Sequence, residues 1–200
     1  MKISQEEKAV VRRRLLDEAA KHFASMGFEE ANVNEIASGA GYASGTIYNY
    51  FRSKDELFGA VIAEAARRTV ARFSSAPAHD SIRDSLRELA LADVSVLREE
   101  EAFIKVLAGE AMNPRSENYG LILNHLAEFT EIISKILERG VERGEIRADK
   151  PTAQLALVFL GLLTLLYIQH WKSDGAWPSL EEIPDLVVTL FIDGAKRTGP

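Results

Sequence analysis

Five side chains between positions 44 and 50, Ser44, Thr46, Tyr48, Asn49 and Tyr50, gather hydroxyl, amide and aromatic groups on one short segment. Amides and hydroxyls pair with base edges and phosphate oxygens, and tyrosine rings meet thymine methyl groups or the sugar backbone. The chemistry on offer is therefore the reading of a nucleic-acid groove. Ile47 and Phe51, four apart, would form the buried side of a helix over 44–51 and leave those five groups outside. A second short helix precedes it. Asn32 is a good N-cap with Glu35 three residues on, so that helix begins at Val33, and Ile36, Ala37 and Ala40 fall on its inner face. Gly39 and Gly41 then allow a sharp turn over 41–43. A helix, a glycine turn and a second helix form the layout that sets one helix against phosphates and the next in a DNA major groove.

These two helices need a support. Residues 4–26 read as helix one, with Leu15, Leu16, Ala19 and Phe23 as its packing stripe and Gly27 as its end. A fourth helix starts at Ser53, an N-cap with Glu56 at its third position, and runs through Leu57, Phe58, Val61, Ile62 and Ala65 toward Phe73. The net charge of −6 argues against a nucleic-acid binder, since phosphate neutralisation supplies much of the affinity of such proteins. Residues 1–58 hold eight lysines and arginines against nine acidic residues, a net of −1, which leaves −5 for the remainder. Binding must then use local clusters, with Lys8 and Arg12 one turn apart and Arg13 and Arg14 beside them, and non-specific affinity is expected to be modest. The plainer account of Arg12, Arg13 and Arg14 is a solvated face of helix one.

The span 15–57 resembles the DNA-binding domain of the TetR (tetracycline-repressor-like) transcriptional regulators. The matching residues are Arg12, Leu15, Leu16, Ala19, Phe23, Gly27 and Phe28, then Ile36, Ala37, Ala40, Gly41, Gly45, Thr46, Tyr48, Tyr50, Phe51, Lys54, Glu56 and Leu57. Two departures stand out: the family usually has serine where Ala43 stands and a small aliphatic residue in place of Tyr42, which leaves Ser44 as a substitute cap. The resemblance implies a homodimer on a near-palindromic double-stranded operator, acting as a repressor. Thr46 and Asn49 would meet base edges, with Ser44, Tyr48, Tyr50, Lys54 and Asn32 on phosphates and flanking bases. Arg12, Val33 and Gly45 complete the expected DNA-binding set.

Beyond a boundary over 74–80, where Pro77 interrupts the helix, the chain reads helical throughout, with apolar periodicity over 82–97, 103–112, 119–141 and 152–171 and breaks at Asn113-Pro114, Gly144 and Asp174-Gly175. The expected architecture is all-α, with about nine helices. An N-terminal three-helix DNA-binding domain covers 1–58, its connecting helix continues to about 73, and a C-terminal helical ligand-binding and dimerisation domain covers 78–200. The run 155–168 is apolar on every face but is short for a bilayer crossing, so it should pack on its own domain on one side and on a partner chain on the other. No membrane association is expected. With the helix that follows, it offers Leu155, Phe159, Leu162, Leu166, Ile183, Leu186, Val187, Leu190 and Phe191 as a dimer interface, which matches the four-helix bundle that the resembled family builds across a two-fold axis. In that family a small-molecule effector enters the helical domain, shifts the connecting helix and releases the operator. Phe103, Leu107, Met112, His125, Phe129, Tyr167, His170 and Trp171 are the candidate lining residues, each of which core packing alone would also explain.

Catalysis finds no support in the sequence. His22, His79, His125 and His170 are dispersed, none at the spacing of a helical metal pair, and the chain has no cysteine for a zinc framework, disulfide or thiol chemistry. Glu99, Glu100 and Glu101 read as a solvated helix segment, and Gly39, Gly41 and Gly45 follow no strand, so they are not a nucleotide-phosphate loop. No catalytic residue, metal or cofactor is expected. The early sequence has no apolar leader, so a cytoplasmic protein is expected. The alternative is a helical ligand-binding or protein-interaction module whose DNA head has lost its function, a reading motivated by the acidic charge and by Ala43.

Overall fold

The computed structural model describes residues 4–77, 79–113 and 119–195. The described residues form seven α-helices and one 3-10 helix: α1 (Gln5–Glu30), α2 (Val33–Gly39), the 3-10 helix (Ser44–Asn49), α3 (Lys54–Ser75), α4 (Ile82–Ala111), α5 (Tyr119–Glu142), α6 (Thr152–Lys172) and α7 (Ile183–Ala195). The stretches 82–97 and 103–112, expected as separate helices, are one helix bent at Glu100, whose φ of −136° and ψ of 36° are non-helical. The break expected at Pro114 lies outside the described residues.

The chain divides into two compact units, Met1–Arg67 with Glu100–Leu123, and Arg68–Glu99 with Asn124–Pro200. The division falls inside α3, α4 and α5 and not at the 74–80 connection, because these helices are long and continuous and none belongs to one unit alone.

In the first unit, Ser4 and Glu7 close a reciprocal capping box at the start of α1. Gly27 interrupts α1 at φ 78°, a conformation open to glycine, and the chain re-enters a helical turn through Glu30. Leu15, Leu16, Ala19 and Phe23 are buried as the stripe requires, with Ile36, Ala37, Leu57, Phe58, Val61 and Ile62. Phe23, Phe28 and Phe58 form an aromatic cluster with centroids 4.8 to 6.1 Å apart.

In the second unit, Ile82, Leu86, Leu89, Ala90 and Leu97 of α4 are buried, as are Phe129, Ile133 and Leu137 of α5. Phe159 of α6 meets Phe191 of α7 edge to face at 5.3 Å. Arg87 Nε reaches Asp185 Oδ1 at 2.6 Å, Arg83 lies 3.9 Å from Asp193, and Arg98 pairs with Glu181, so three arginines of α4 meet carboxylates on or just before α7. The Arg87 guanidinium holds the Asp185 carboxyl below its ordinary range. One acidic group breaks the apolar stripe of α4. Asp93 is buried and accepts a 2.6 Å hydrogen bond from the Tyr167 hydroxyl of α6. Burial, only partly offset by that hydrogen bond, pushes its carboxyl from 3.8 to about 6, and the same surroundings push Tyr167 well up.

Helix α6 extends past the apolar run at both ends. It has 21 residues, and an 18-residue stretch of it has a mean hydropathy of 1.8, so it is long and apolar enough to cross a membrane, and 28% of that stretch is buried inside the chain. A core helix of a protein that never meets a bilayer passes the same test.

Candidate nucleic-acid interface

The side-chain oxygen of Asn32 accepts from Asn34 N–H at 2.9 Å and starts α2, as its position before an apolar-periodic run requires. The turn follows with Gly41 at φ 85°, and Tyr42 N–H donates back to the Ala37 carbonyl at 2.9 Å. The next element is helical but tighter than expected: the 3-10 form over Ser44–Asn49. Its N-cap is Ala43, which has no side-chain acceptor, and Ser44 does not substitute for it. Six residues with Gly45 inside them and no cap have little reason to settle into regular α-geometry.

Its two faces follow the reading from spacing. Ile47 and Phe51 are buried, while Ser44, Gly45, Tyr48 and Asn49 are exposed and Thr46 and Tyr50 half-buried. Tyr48 is 56% exposed, an unusual setting for a large ring on a helix with its own core contacts. Val33 is half-buried and Asn32 exposed. Arg12, also exposed, carries its guanidinium 5.3 Å from the centroid of the Phe51 ring. Lys54, at the start of α3, donates from Nζ to the Glu29 carbonyl at 2.8 Å and stands 4.7 Å from the Phe28 ring centroid. Beside it Ser53 Oγ accepts from Glu56 N–H, and the Glu56 carboxylate accepts from Arg52 N–H. A short helix with a buried apolar edge and an outer row of hydroxyl, amide and phenol groups, held behind a glycine turn, defines a helix-turn-helix DNA-binding protein.

Relatives narrow that class. The family model "Bacterial regulatory proteins, tetR family" matches residues 15–61, and "Tetracyclin repressor-like, C-terminal domain" matches residues 79–195. The chain belongs to the TetR family of transcriptional regulators and is a DNA-binding regulator. It is 26% identical to the HTH-type transcriptional regulator UidR of Escherichia coli (strain K12) over 159 residues, 79% of this chain and 80% of that one. It is 25% identical to the HTH-type transcriptional repressor KstR2 of Rhodococcus jostii (strain RHA1), covering 92% of this chain and 90% of that one. Among solved structures, the TetR family transcriptional regulator PfmR from Thermus thermophilus superposes with a TM-score of 0.73 at 27% identity, over 92% of this chain and 100% of that one. Regulators of this family bind DNA and typically act as dimers. These relatives do not favour the reading of a helical module with an idle DNA head.

The residues expected to line a ligand site fall in both units. Phe103, Leu107 and Met112 belong to the first, where Phe103 is buried and Met112 is exposed. His125, Phe129, Tyr167, His170 and Trp171 belong to the second. Phe129 packs on Phe73 at 5.8 Å, and Tyr167 lies 6.2 Å from Trp171. His170 Nδ1 donates to the Pro178 carbonyl at 2.8 Å, which ties the end of α6 to the loop after it. His125 Nε2 is buried without a hydrogen-bond partner among the described residues. Asp93 was absent from the sequence-based set, yet it is the acidic group in contact with Tyr167. Its signal is its register, four residues after Leu89 and four before Leu97 on a stripe that otherwise carries no charged residue.

On the helices expected to pair with a second chain, Leu155, Phe159, Leu166, Ile183, Val187 and Phe191 are buried within this chain, and Leu162 and Leu186 are half-buried. Of the expected set Leu190 on α7 is exposed, at 51%, and Leu157, Val158 and Leu165 on α6, which are outside that set, are exposed at 50% or more. The expected set thus mixes both faces. A helix that is apolar all round gives no periodic signal for which side turns inward.

Proposed function

We propose that this regulator is a homodimeric repressor that binds a near-palindromic operator and is released by a small-molecule effector. The observation that carries the DNA-reading part is the outward row on the 3-10 helix: Ser44, Thr46, Tyr48, Asn49 and Tyr50 around a buried Ile47 and Phe51. Thr46 and Asn49 read base edges, and Ser44, Tyr48, Tyr50 and Asn32 meet phosphates and flanking bases. Two such elements must be presented about 34–36 Å apart to enter successive major grooves, which a two-fold pair provides. Leu157, Val158, Gly161 and Leu165 form an exposed stripe at helical spacing on α6, Leu190 is exposed on α7, and a second copy of the chain covers them. Burial of that stripe in the dimer, with no membrane involved, accounts for the apolarity of α6. The repressor sense is supported by the name of the KstR2 relative. Effector uptake is assigned to the helical second unit, where His125, Phe129, Tyr167, His170 and Trp171 stand.

A gel shift with DNA from the protein's own upstream region, at low and moderate salt, tests the reading. Specific retardation that Tyr48→Ala and Asn49→Ala abolish, with unchanged circular dichroism, is the expected result. No retardation of that region at any salt overturns it.

A further inference from the structure

We propose that Asp93 anchors the effector, and that the effector is an organic cation, an ammonium group on an apolar or aromatic body. The inference deepens the effector part of the reading above and rests on it. Asp93 lies on the core stripe of α4 between Leu89 and Leu97, where Ala90, Val94 and Val96 are buried with it. Its carboxylate can accept about four hydrogen bonds, and the one it holds comes from the neutral Tyr167 hydroxyl at 2.6 Å. Among the described residues no lysine, arginine or histidine pairs with it. The cations of its own helix are engaged elsewhere: Arg83 with Asp193, Arg87 with Asp185, Arg98 with Glu181 and Lys105 with Glu101. A buried carboxylate with one neutral donor is costly, and burial raises this one to about 6, which leaves it mostly ionised at neutral pH. The second unit thus encloses a negative charge and sets no positive one against it.

What stands beside that charge suits a cation. Tyr167 is buried, and Trp171, one turn further along α6, is half-buried with its ring centroid 6.2 Å from that of Tyr167. The face of an aromatic ring attracts an ammonium within about 6 Å of its centroid, and a carboxylate next to such rings adds a charge-assisted hydrogen bond. An anionic ligand would meet Asp93 as a like charge, and a neutral alcohol would leave the carboxylate uncompensated. Of the three head groups, the ammonium is the one that offsets the cost of the buried charge.

The test uses the full-length chain and two matched sets of probes: decylamine, decanol and decanoate, all below their micelle range, and phenethylamine, phenethyl alcohol and phenylacetate. Binding is measured by isothermal titration calorimetry on wild type and on Asp93→Asn, which keeps an acceptor for Tyr167 and removes the charge. In at least one set the amine is expected to bind about tenfold or more tightly than its alcohol and its acid. Asp93→Asn should weaken that amine by about tenfold or more and leave the alcohol unchanged, which shows the rest of the site intact. An amine that binds no better than its alcohol, an amine affinity unchanged in Asp93→Asn, a preference for the carboxylates, or no binding of either amine overturns the proposal. The bound amine should also release the upstream DNA fragment from wild type, and binding without release overturns the effector role. Should wild type bind no DNA, the operator reading fails separately, and calorimetry still decides whether Asp93 holds a cation.

Discussion

Replacing Asp93 with asparagine should stabilise the protein at neutral pH and leave it nearly unchanged in acid. Asp93 is buried on the core stripe of α4, and its hydrogen bond comes from the neutral hydroxyl of Tyr167. Burial raises its carboxyl from 3.8 to about 6. A raised acid works against folding once it must ionise: between 3.8 and about 6 the folded chain holds a proton that the unfolded chain has released, and above about 6 the full cost is present. A rise of that size corresponds to roughly 3 kcal/mol at pH 8, falling to about half of that at pH 5 and to under about 1 kcal/mol at pH 4. Asparagine keeps an acceptor oxygen for Tyr167 and removes the charge, so Asp93→Asn should approach the full gain at pH 8. In a chain of this length that is about 6–12 °C in Tm. Paired thermal melts of wild type and variant at pH 4, 5 and 8, at one chain concentration so that association does not enter, provide the measurement. A variant no more stable than wild type at pH 8, or a gain that does not shrink in acid, would refute the reasoning.

Other perturbations are as specific. Ala43→Ser supplies the acceptor that the 3-10 helix lacks at its N-terminus and should add about 1 kcal/mol, seen as a higher urea midpoint and tighter operator binding. Gly140→Ala places a Cβ 2.7 Å from Ile146 Cγ1 and 3.0 Å from Ile82 Cγ1, both in fully packed surroundings. Overpacking should outweigh the gain in helix propensity and cost about 1–3 kcal/mol by chemical denaturation. Leu165→Glu puts a charge on the exposed stripe of α6. It should yield a folded chain that sediments as a monomer and binds the operator far more weakly.

What was legible in the sequence follows the range of the interactions concerned. Asn32, the glycine turn and the pair Ile47 and Phe51 act over a few residues, and their spacing alone gave the order of elements and the outward set at 44–50. Ala43 hints at the 3-10 geometry without dictating it, because a missing cap says that a helix is weak and leaves open what it becomes. The partners of Lys54 and Asp93 are 25 and 74 residues away, and nothing in local pattern encodes such pairings. On α6 the difficulty was an excess of signal: leucines on every side made Phe159 and Leu165 look alike, and only the packing of Phe159 on Phe191 tells which of them faces the core. The division of α3, α4 and α5 between two compact units was hidden for a related reason, since a helix shows no interruption where its neighbours change.

In the proposed dimer, the leucine-lined side of α6 also ties regulation to supply. If two chains must meet before an operator can be gripped at both halves, the competent species grows with roughly the square of the chain count wherever single chains predominate, and halving the stock removes about three quarters of it. A promoter under such control would switch over a narrow range of expression, and a single acidic residue on the stripe would disarm it without touching a base-reading group.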